Sequence, residues 1–515
     1  MDKFKKILGA IVIGVMFLTL VAVSLDIFFN INLADSLKET VISTEEDVEN
    51  ITIIEPAEMI SFEPTLFDSF TRQRLNNFYE TLVRPDSDLN IQPSLAVSWG
   101  LIDDVTWEFN LRSGVKFHDG SDLTIDDVIA SFDMARNTKE SQLKDLLSTI
   151  VTVEKTNEKT LRITTSKPDP LLLQRVSTVY IVPKNFDIKN PIGTGPYKTS
   201  VGKLTLQDLK FTRFDAYWGT KPKFKQVDFV TIADGASRLN VFLRGGADIL
   251  NYVPYDLAGN VDNGMYDLTQ VPSLEVQFLL FNSNGKIFKD LEMRKAVKNS
   301  LDERAFAKFL GSYVHGVSQF ISNGVFGYDS NIEKNDDKHG EELLAGAKAI
   351  IDAKKLTNAK DFANAKVSVL LPYGLDTLGE FISTSFGKIG LNASIQYVRS
   401  EYYEDTLKKV KPDLYFMAFK SELGDASDFL NSVVRTGAQY NFNGYSSAIL
   451  DDLVAKQSVA MNEEKRLDLL KEAMTVVTEN DVIGVPLFEY DLLFASKKDL
   501  NFQPRIDGFI YLQDL

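Results

Sequence analysis

At 515 residues the chain is longer than one hydrophobic core supports, because cores stop growing at about 250–300 residues, so two or more lobes are expected. Hydrophobic content of 44% and charged content of 25% are those of an ordinary folded protein, and a net charge of −16 argues against nucleic acid, which requires a basic face. The absence of cysteine removes disulfides, thiolate metal sites and cysteine nucleophiles, while His118, His315 and His339 are too few for a His-rich metal centre; no metal and no cofactor are expected.

Lys3, Lys5 and Lys6 precede an uncharged apolar run from Ile7 to Leu25, extendable past Asp26 to Phe29. Such a run is long enough to cross a hydrocarbon core of about 30 Å. Lysines before it and acidic residues after it put the N-terminus inside and the rest outside. Residues 1–6 then read as cytoplasmic and 7–29 as a transmembrane anchor or uncleaved signal. A cleaved signal peptide at Ala22-Val23-Ser24 is the other reading. The acidic stretch 30–50 reads as a solvated linker, and Ile51–Ile54 as the first strand.

From Trp107 to Leu111 apolar and polar residues alternate as in a half-buried strand. Arg112-Ser113-Gly114 turns the chain, and His118-Asp119-Gly120 turns it again, with Gly where positive φ is cheapest. Thr124 then reads as a helix N-cap with Asp127 in the reciprocal capping-box position, ahead of the apolar face Val128, Ile129 and Phe132. Val151 to Thr165 is a hairpin around Asn157-Glu158-Lys159. Gly193-Thr194-Gly195-Pro196-Tyr197 predicts a tight crossing, and is no phosphate loop, because no Lys-Ser/Thr pair follows and Pro196 lacks a donor. Gly245-Gly246 reads as a helix C-cap. Phe278–Asn282 predicts a strand, and 341–354 a helix. Val367–Leu371, Glu380–Ile389 and Ala393–Val398 form a βαβ unit. Asp413–Phe419 predicts a buried strand.

The string from Leu111 to Val128 resembles the signature of the peptide/nickel family of ABC-transporter solute-binding proteins, the extracytoplasmic family 5 receptors, with Asp122 replacing the usual Pro and Ile125 the usual Ala. Further segments resemble the same family. They are Tyr79-Glu80 with Leu82-Val83, Pro93 to Trp99, Gly193 to Tyr197, Tyr217-Trp218, Asn282 to Arg304, Lys420 to Leu430, Phe442 to Ser446 and Val485 to Phe488. The resemblance spans about residues 55–515. It implies an α/β, two-lobed periplasmic-binding-protein-like fold (type II, cluster C) with an extra small subdomain, here preceded by the N-terminal transmembrane helix. Lobe I is expected at 51–85, 190–275 and 486–515, its subdomain at 86–189, and lobe II at 276–485.

No nucleophile–base arrangement is legible. There is no G-x-S-x-G elbow and no H-E-x-x-H, and His118 reads as a hydrogen-bonded turn residue, so no enzyme is expected. In peptide-binding relatives an aspartate after the Asp413–Phe419 strand pairs with the ligand's N-terminal ammonium. The matching residue is Glu422, with Asp425 at a later acidic position, Phe419 in place of a Trp, and Tyr445 in the "gYs" element. Arg435 and Arg238 are candidates for a peptide carboxylate. The implied function is capture of oligopeptides or dipeptides between the lobes of a monomer and delivery to an ABC permease and ATPase complex, at the extracytoplasmic side of the cell membrane. The same fold binding an oligosaccharide, opine or metal chelate, or acting as a peptide-sensing or chaperone-like receptor without transport, are the alternatives.

Overall fold

The computed structural model describes residues 48–199, 206, 208–261, 264–332, 337–357, 366–442 and 444–515. The expected membrane segment at 7–29 and nearly all of the linker at 30–50 lie outside the described residues. Among the described residues no helix is long and apolar enough to cross a membrane. The body from Asn50 to Leu515 is one compact unit.

Its backbone is organised by two long antiparallel strands, Tyr266–Phe281 and Gly484–Lys497. They sit in the middle of an eleven-stranded sheet. Near one end, Ile249–Asn251 joins the second strand, followed by Val48–Glu55, Phe224–Thr231, Asp208–Arg213 and Tyr197–Thr199. Near the other end, Leu414–Lys420 joins the first strand, followed by Lys366–Pro372 and Asn392–Val398. Each long strand therefore serves two wings of the sheet. Register between the pair shifts between Pro272 and Val276, facing Asp491 and Glu489. Pro272 has no amide to give to the ladder, and a bulge at this point re-aims the strands where one wing passes into the other.

Where the two long strands cross the middle of the sheet both faces are covered and the residues are apolar on both sides, whereas the edge strand Asn392–Val398 alternates. Along Tyr266–Phe281, Val276, Phe278 and Leu280 enter one core with Phe320, Phe429 and Leu470. Leu279 and Phe281 enter a second with Phe288, Ile382 and Phe488. In the other wing Ile51, Ile53 and Ile249 face one cluster, and Ile54 and Leu250 another.

The residues expected to form a small subdomain make a four-stranded antiparallel sheet of Ala96–Asp103, Thr106–Leu111, Thr160–Thr165 and Ile150–Asn157. The helix Ile125–Asn137 covers it through Val128 and Phe132. Its capping box forms as read, the Thr124 amide donating to Asp127 Oδ2 at 2.9 Å. The βαβ unit is parallel, with Asp376–Lys388 between its strands. Gly245 takes φ +79° at the end of the turn that follows Gly235–Val241. The short strand read at Phe278–Asn282 and the one implied by the resemblance at Val485–Phe488 are pieces of the two long strands, because mixed polar residues such as Asp267 and Gln270 conceal the rest of the first.

Candidate functional site

His118 fastens the subdomain to the Gly193–Tyr197 crossing. The Gly193 amide donates to Nδ1 at 3.1 Å, so the ring proton is on Nε2, which donates to the Gly195 carbonyl at 3.1 Å. The His118 amide donates to the Gly193 carbonyl at 2.9 Å. Phe78 and Phe214 meet the imidazole edge-on, with centroids at 4.7 and 5.1 Å. Burial pushes its pKa down to about 4, against the bond to Gly195. The ring is therefore a neutral structural link. The two glycines are required by close approach. A Cβ at Gly193 would stand 2.3 Å from the Phe78 carbonyl oxygen, and one at Gly195 2.6 Å from the same atom.

This crossing holds one wall of a cavity of about 90 Å³. Tyr79, Glu80 and Arg84 line it from the first wing, Asp507 and Tyr511 from the C-terminal segment, and Glu422 and Leu423 from the second wing. Glu80 accepts from the Tyr217 hydroxyl and the Trp218 indole N–H, both at 2.9 Å. Burial pushes its carboxyl up to about 7, against those donors. Asp507 is held by Arg505 through both carboxylate oxygens, at 3.1 and 2.6 Å.

Glu422 follows the strand Leu414–Lys420, and its Oε2 lies 3.2 Å from the Lys420 ammonium, both side chains being part-exposed. Lys420 also stands directly across the strand pair from Glu275, whose carboxyl burial pushes up. The loop is pinned on each side. Ser421 N–H donates to Leu274 O at 3.0 Å, Leu423 N–H to Asp428 Oδ2 at 2.9 Å, and Phe326 N–H to Gly424 O at 2.8 Å.

The other expected site residues do not join this cavity. Asp425, expected at the ligand, sits in a buried ion pair. Both its oxygens are taken by Arg466, at 2.7 and 2.8 Å, in a buried position, and Oδ1 also caps the helix Ala426–Phe429 through the Ser427 amide. Tyr445 is buried in a hydrophobic core, its hydroxyl hydrogen-bonded to Asp481. Phe419 stands edge-on to Phe429 at 5.8 Å and packs against that same core. Arg435 is exposed and lines a different crevice of about 600 Å³, shared with Arg175 and Asp428. Arg238 donates to the carbonyls of Ile232, Ala233 and Tyr252, which leaves it a structural role. Glu80, Arg84 and the C-terminal wall were not read as site residues from the sequence. Only the Tyr79-Glu80 and Tyr217-Trp218 segments carried a signal for them.

The strand that leads to Glu422 is paired over only part of its length on one side. Lys366–Pro372 pairs with Leu414–Lys420 only at Val369–Leu414 and Leu370–Tyr415. Beyond that, the Tyr403 hydroxyl enters the gap, within 2.9 Å of the carbonyls of Leu370 and Phe416 and 3.1 Å from the Phe416 amide. A groove of about 300 Å³ follows, lined by Tyr403, Met417, Ala418, Tyr440 and Phe442. Among the described residues no group of three or more His, Asp or Glu side chains is placed to hold a metal ion.

The wings, the paired crossing strands and the cavity between them define an α/β periplasmic-binding-protein-like fold. The family model for bacterial extracellular solute-binding proteins, family 5 (middle region), matches residues 90–441, and the chain belongs to that family, which serves ABC importers. It is 24% identical over 461 residues to the dipeptide-binding protein of Escherichia coli, covering 81% of this chain and 85% of that one. It is 23% identical over 489 residues to the nickel-binding periplasmic protein of the same organism, covering 88% and 91%. Among solved structures it is similar to the periplasmic binding protein DppA of Helicobacter pylori in complex with the peptide STSA. There the TM-score is 0.69 at 20% identity, over 90% of this chain and 95% of that one.

Proposed function

We propose that this protein captures oligopeptides or dipeptides in the cleft between its two lobes, which opens around the cavity at Glu422, and hands them to the permease and ATPase of an ABC importer. One observation carries the reading. The Glu422 carboxylate, at the end of a strand and on the cavity wall, already accepts an ammonium, that of Lys420. A carboxylate and an ammonium form a charge-assisted bond stronger than a neutral one, so a peptide amine is a fitting replacement for Lys420. Once displaced, Lys420 has Glu275 directly across the strand pair to receive it. The strand Leu414–Lys420 also runs on past its pairing with Lys366–Pro372 and past the Tyr403 hydroxyl, and an extended peptide binds by adding main-chain hydrogen bonds to such a strand.

In this reading residues 51–85, 190–275 and 486–515 form lobe I, 86–189 its subdomain and 276–485 lobe II. The lobes close about the two long strands, whose register shift at Pro272–Val276 is the hinge. The chain acts as a monomer held to the membrane by residues 7–29, its body on the extracytoplasmic side.

The test is to purify the protein, denature it and read the released small molecules by mass spectrometry. Mixed short peptides are expected, with retention reduced in Glu422→Ala. A single non-peptide species would sink the peptide reading, and unchanged retention in the variant would remove Glu422 as the anchor.

A further inference from the structure

The two-stranded hairpin Val83–Pro85 and Ile91–Pro93 is rooted in the subdomain core through Val83 and Ile91. Its tip is built by Asp86. The Asp86 amide donates to Asn90 O at 2.9 Å, and the Leu89 amide to Asp86 O at 3.1 Å. The Asp86 carboxylate accepts from the amides of Asp88 and Asn90 and from Gln92 Nε2, at 2.9–3.0 Å. These bonds hold Leu89 at φ +67°, the left-handed region that a bulky side chain avoids. Such strain persists only where surrounding bonds over-determine the backbone, and it concentrates at clamps and switches.

Ser87, Asp88 and Asn90 around it are exposed, yet Leu89 is part-buried, because its side chain packs against the hydrophobic core of the opposite wing. There it meets Gly424, two residues after Glu422. Gly424 has φ +65°, and a Cβ on it would stand 2.5 Å from Leu89 Cδ1. Leu89 also lines the same cavity as Glu422 and Leu423. A strained turn on one wing thus presents an apolar side chain to a glycine in the loop that carries the proposed amine anchor on the other.

We infer that Leu89 is a latch. Its seating on Gly424 holds the wings closed and completes the cavity wall beside Glu422, so closure and the shape of the anchor loop are set by one contact. The inference rests on the reading that the wings open and close about the two long strands, but it needs no particular ligand.

The test uses the full-length chain with spin labels at Asp104→Cys on the subdomain and Asp405→Cys on the second wing. Both positions are exposed, and the protein has no cysteine of its own to compete. Label-to-label distances are measured by pulsed electron paramagnetic resonance without added ligand. Leu89→Ala and Gly424→Ala are each expected to shift the distribution to longer distances. In the double variant the clashing partner is gone, so it is expected to open no further than Leu89→Ala alone. Leu89→Gly accepts the left-handed backbone without strain, keeps the turn and deletes the contact, and it too is expected to open. Unchanged distances in Leu89→Ala and Leu89→Gly, or fully additive opening in the double variant, would overturn the latch. Peptide retention in Glu422→Ala is read separately, so failure of the peptide reading leaves this result standing.

Discussion

Asp425 and Arg466 meet as a two-point ion pair, Oδ2 to Nη1 at 2.7 Å and Oδ1 to Nη2 at 2.8 Å, with both side chains almost fully buried. Removing one partner of such a pair leaves a charge stranded in low dielectric, which costs about 3–5 kcal/mol. Arg466→Met and Asp425→Asn are each expected to lower the urea midpoint accordingly. Combining them is expected to cost less than the sum of the two, since each single variant carries the stranded partner. If instead Asp425 served the ligand, Asp425→Asn would reduce peptide retention while leaving the midpoint near that of the unaltered chain.

Gly193→Ala is expected to be destabilising by about 1–3 kcal/mol or more, because the added carbon would stand 2.3 Å from the Phe78 carbonyl and 2.7 Å from Tyr79 Cδ1. Gly100, in the strand Ala96–Asp103, supplies the contrast: nothing lies within 4 Å of its Cβ position. Gly100→Ala is expected to be neutral or stabilising by up to about 1 kcal/mol, since it removes only unfolded-state freedom. Parallel urea titrations compare the two. Equal midpoints would show that the Gly193 crossing yields without cost.

His118 and Glu80 make opposite contributions to the pH dependence of stability. The folded pKa of His118 is lowered to about 4, so between about 6.5 and 4 the unfolded chain takes up a proton that the folded one refuses. Stability from this group is lost as pH falls through that window, by up to about 3 kcal/mol at 1.36 kcal/mol per unit. His118→Gln is expected to flatten the acid loss relative to the unaltered chain. Chemical denaturation at a series of pH values measures it, and parallel curves for the two proteins would contradict the assignment.

The folded pKa of Glu80 is raised to about 7, so the sign reverses. Between about 4.5 and 7 the unfolded carboxyl gives up its proton while the folded one keeps it, and stability falls as pH rises. Glu80→Gln is expected to remove that fall. Because the two windows overlap, His118→Gln unmasks the falling slope of Glu80, and Glu80→Gln unmasks the rising slope of His118. A Glu80→Gln curve with no rise from pH 4 to 6.5 would count against the pairing of these two effects.

Much of the fold was legible because its signals are local. The Thr124–Asp127 capping box, the turn at Gly245 and the βαβ unit from Lys366 to Val398 depend on side chains a few residues apart, and the structure forms each of them. The likeness of Leu111–Val128 to a known family was legible for the same reason, and the family match over residues 90–441 agrees with it.

The site was another matter. Motif position singled out Glu422 and Asp425 alike, three residues apart, and only the folded chain separates them. Arg466, on the helix Glu463–Thr475, arrives from 41 residues away to claim Asp425, while Glu422 keeps a part-exposed carboxylate on the cavity wall. Tyr445 lies in an apolar core with its hydroxyl on Asp481, a placement its motif position does not give. The remaining walls of the cavity, Tyr79–Arg84 and the segment ending at Gln513, lie more than 400 residues apart in the chain and meet through bonds such as Leu512 N–H to Asn77 Oδ1. Sequence by itself determined the elements and the family, because caps, turns and apolar periods act over short range. Which carboxylate stays part-exposed, and what faces it, was decided by tertiary structure alone, because a charge is claimed by whatever partner the fold brings within hydrogen-bond reach.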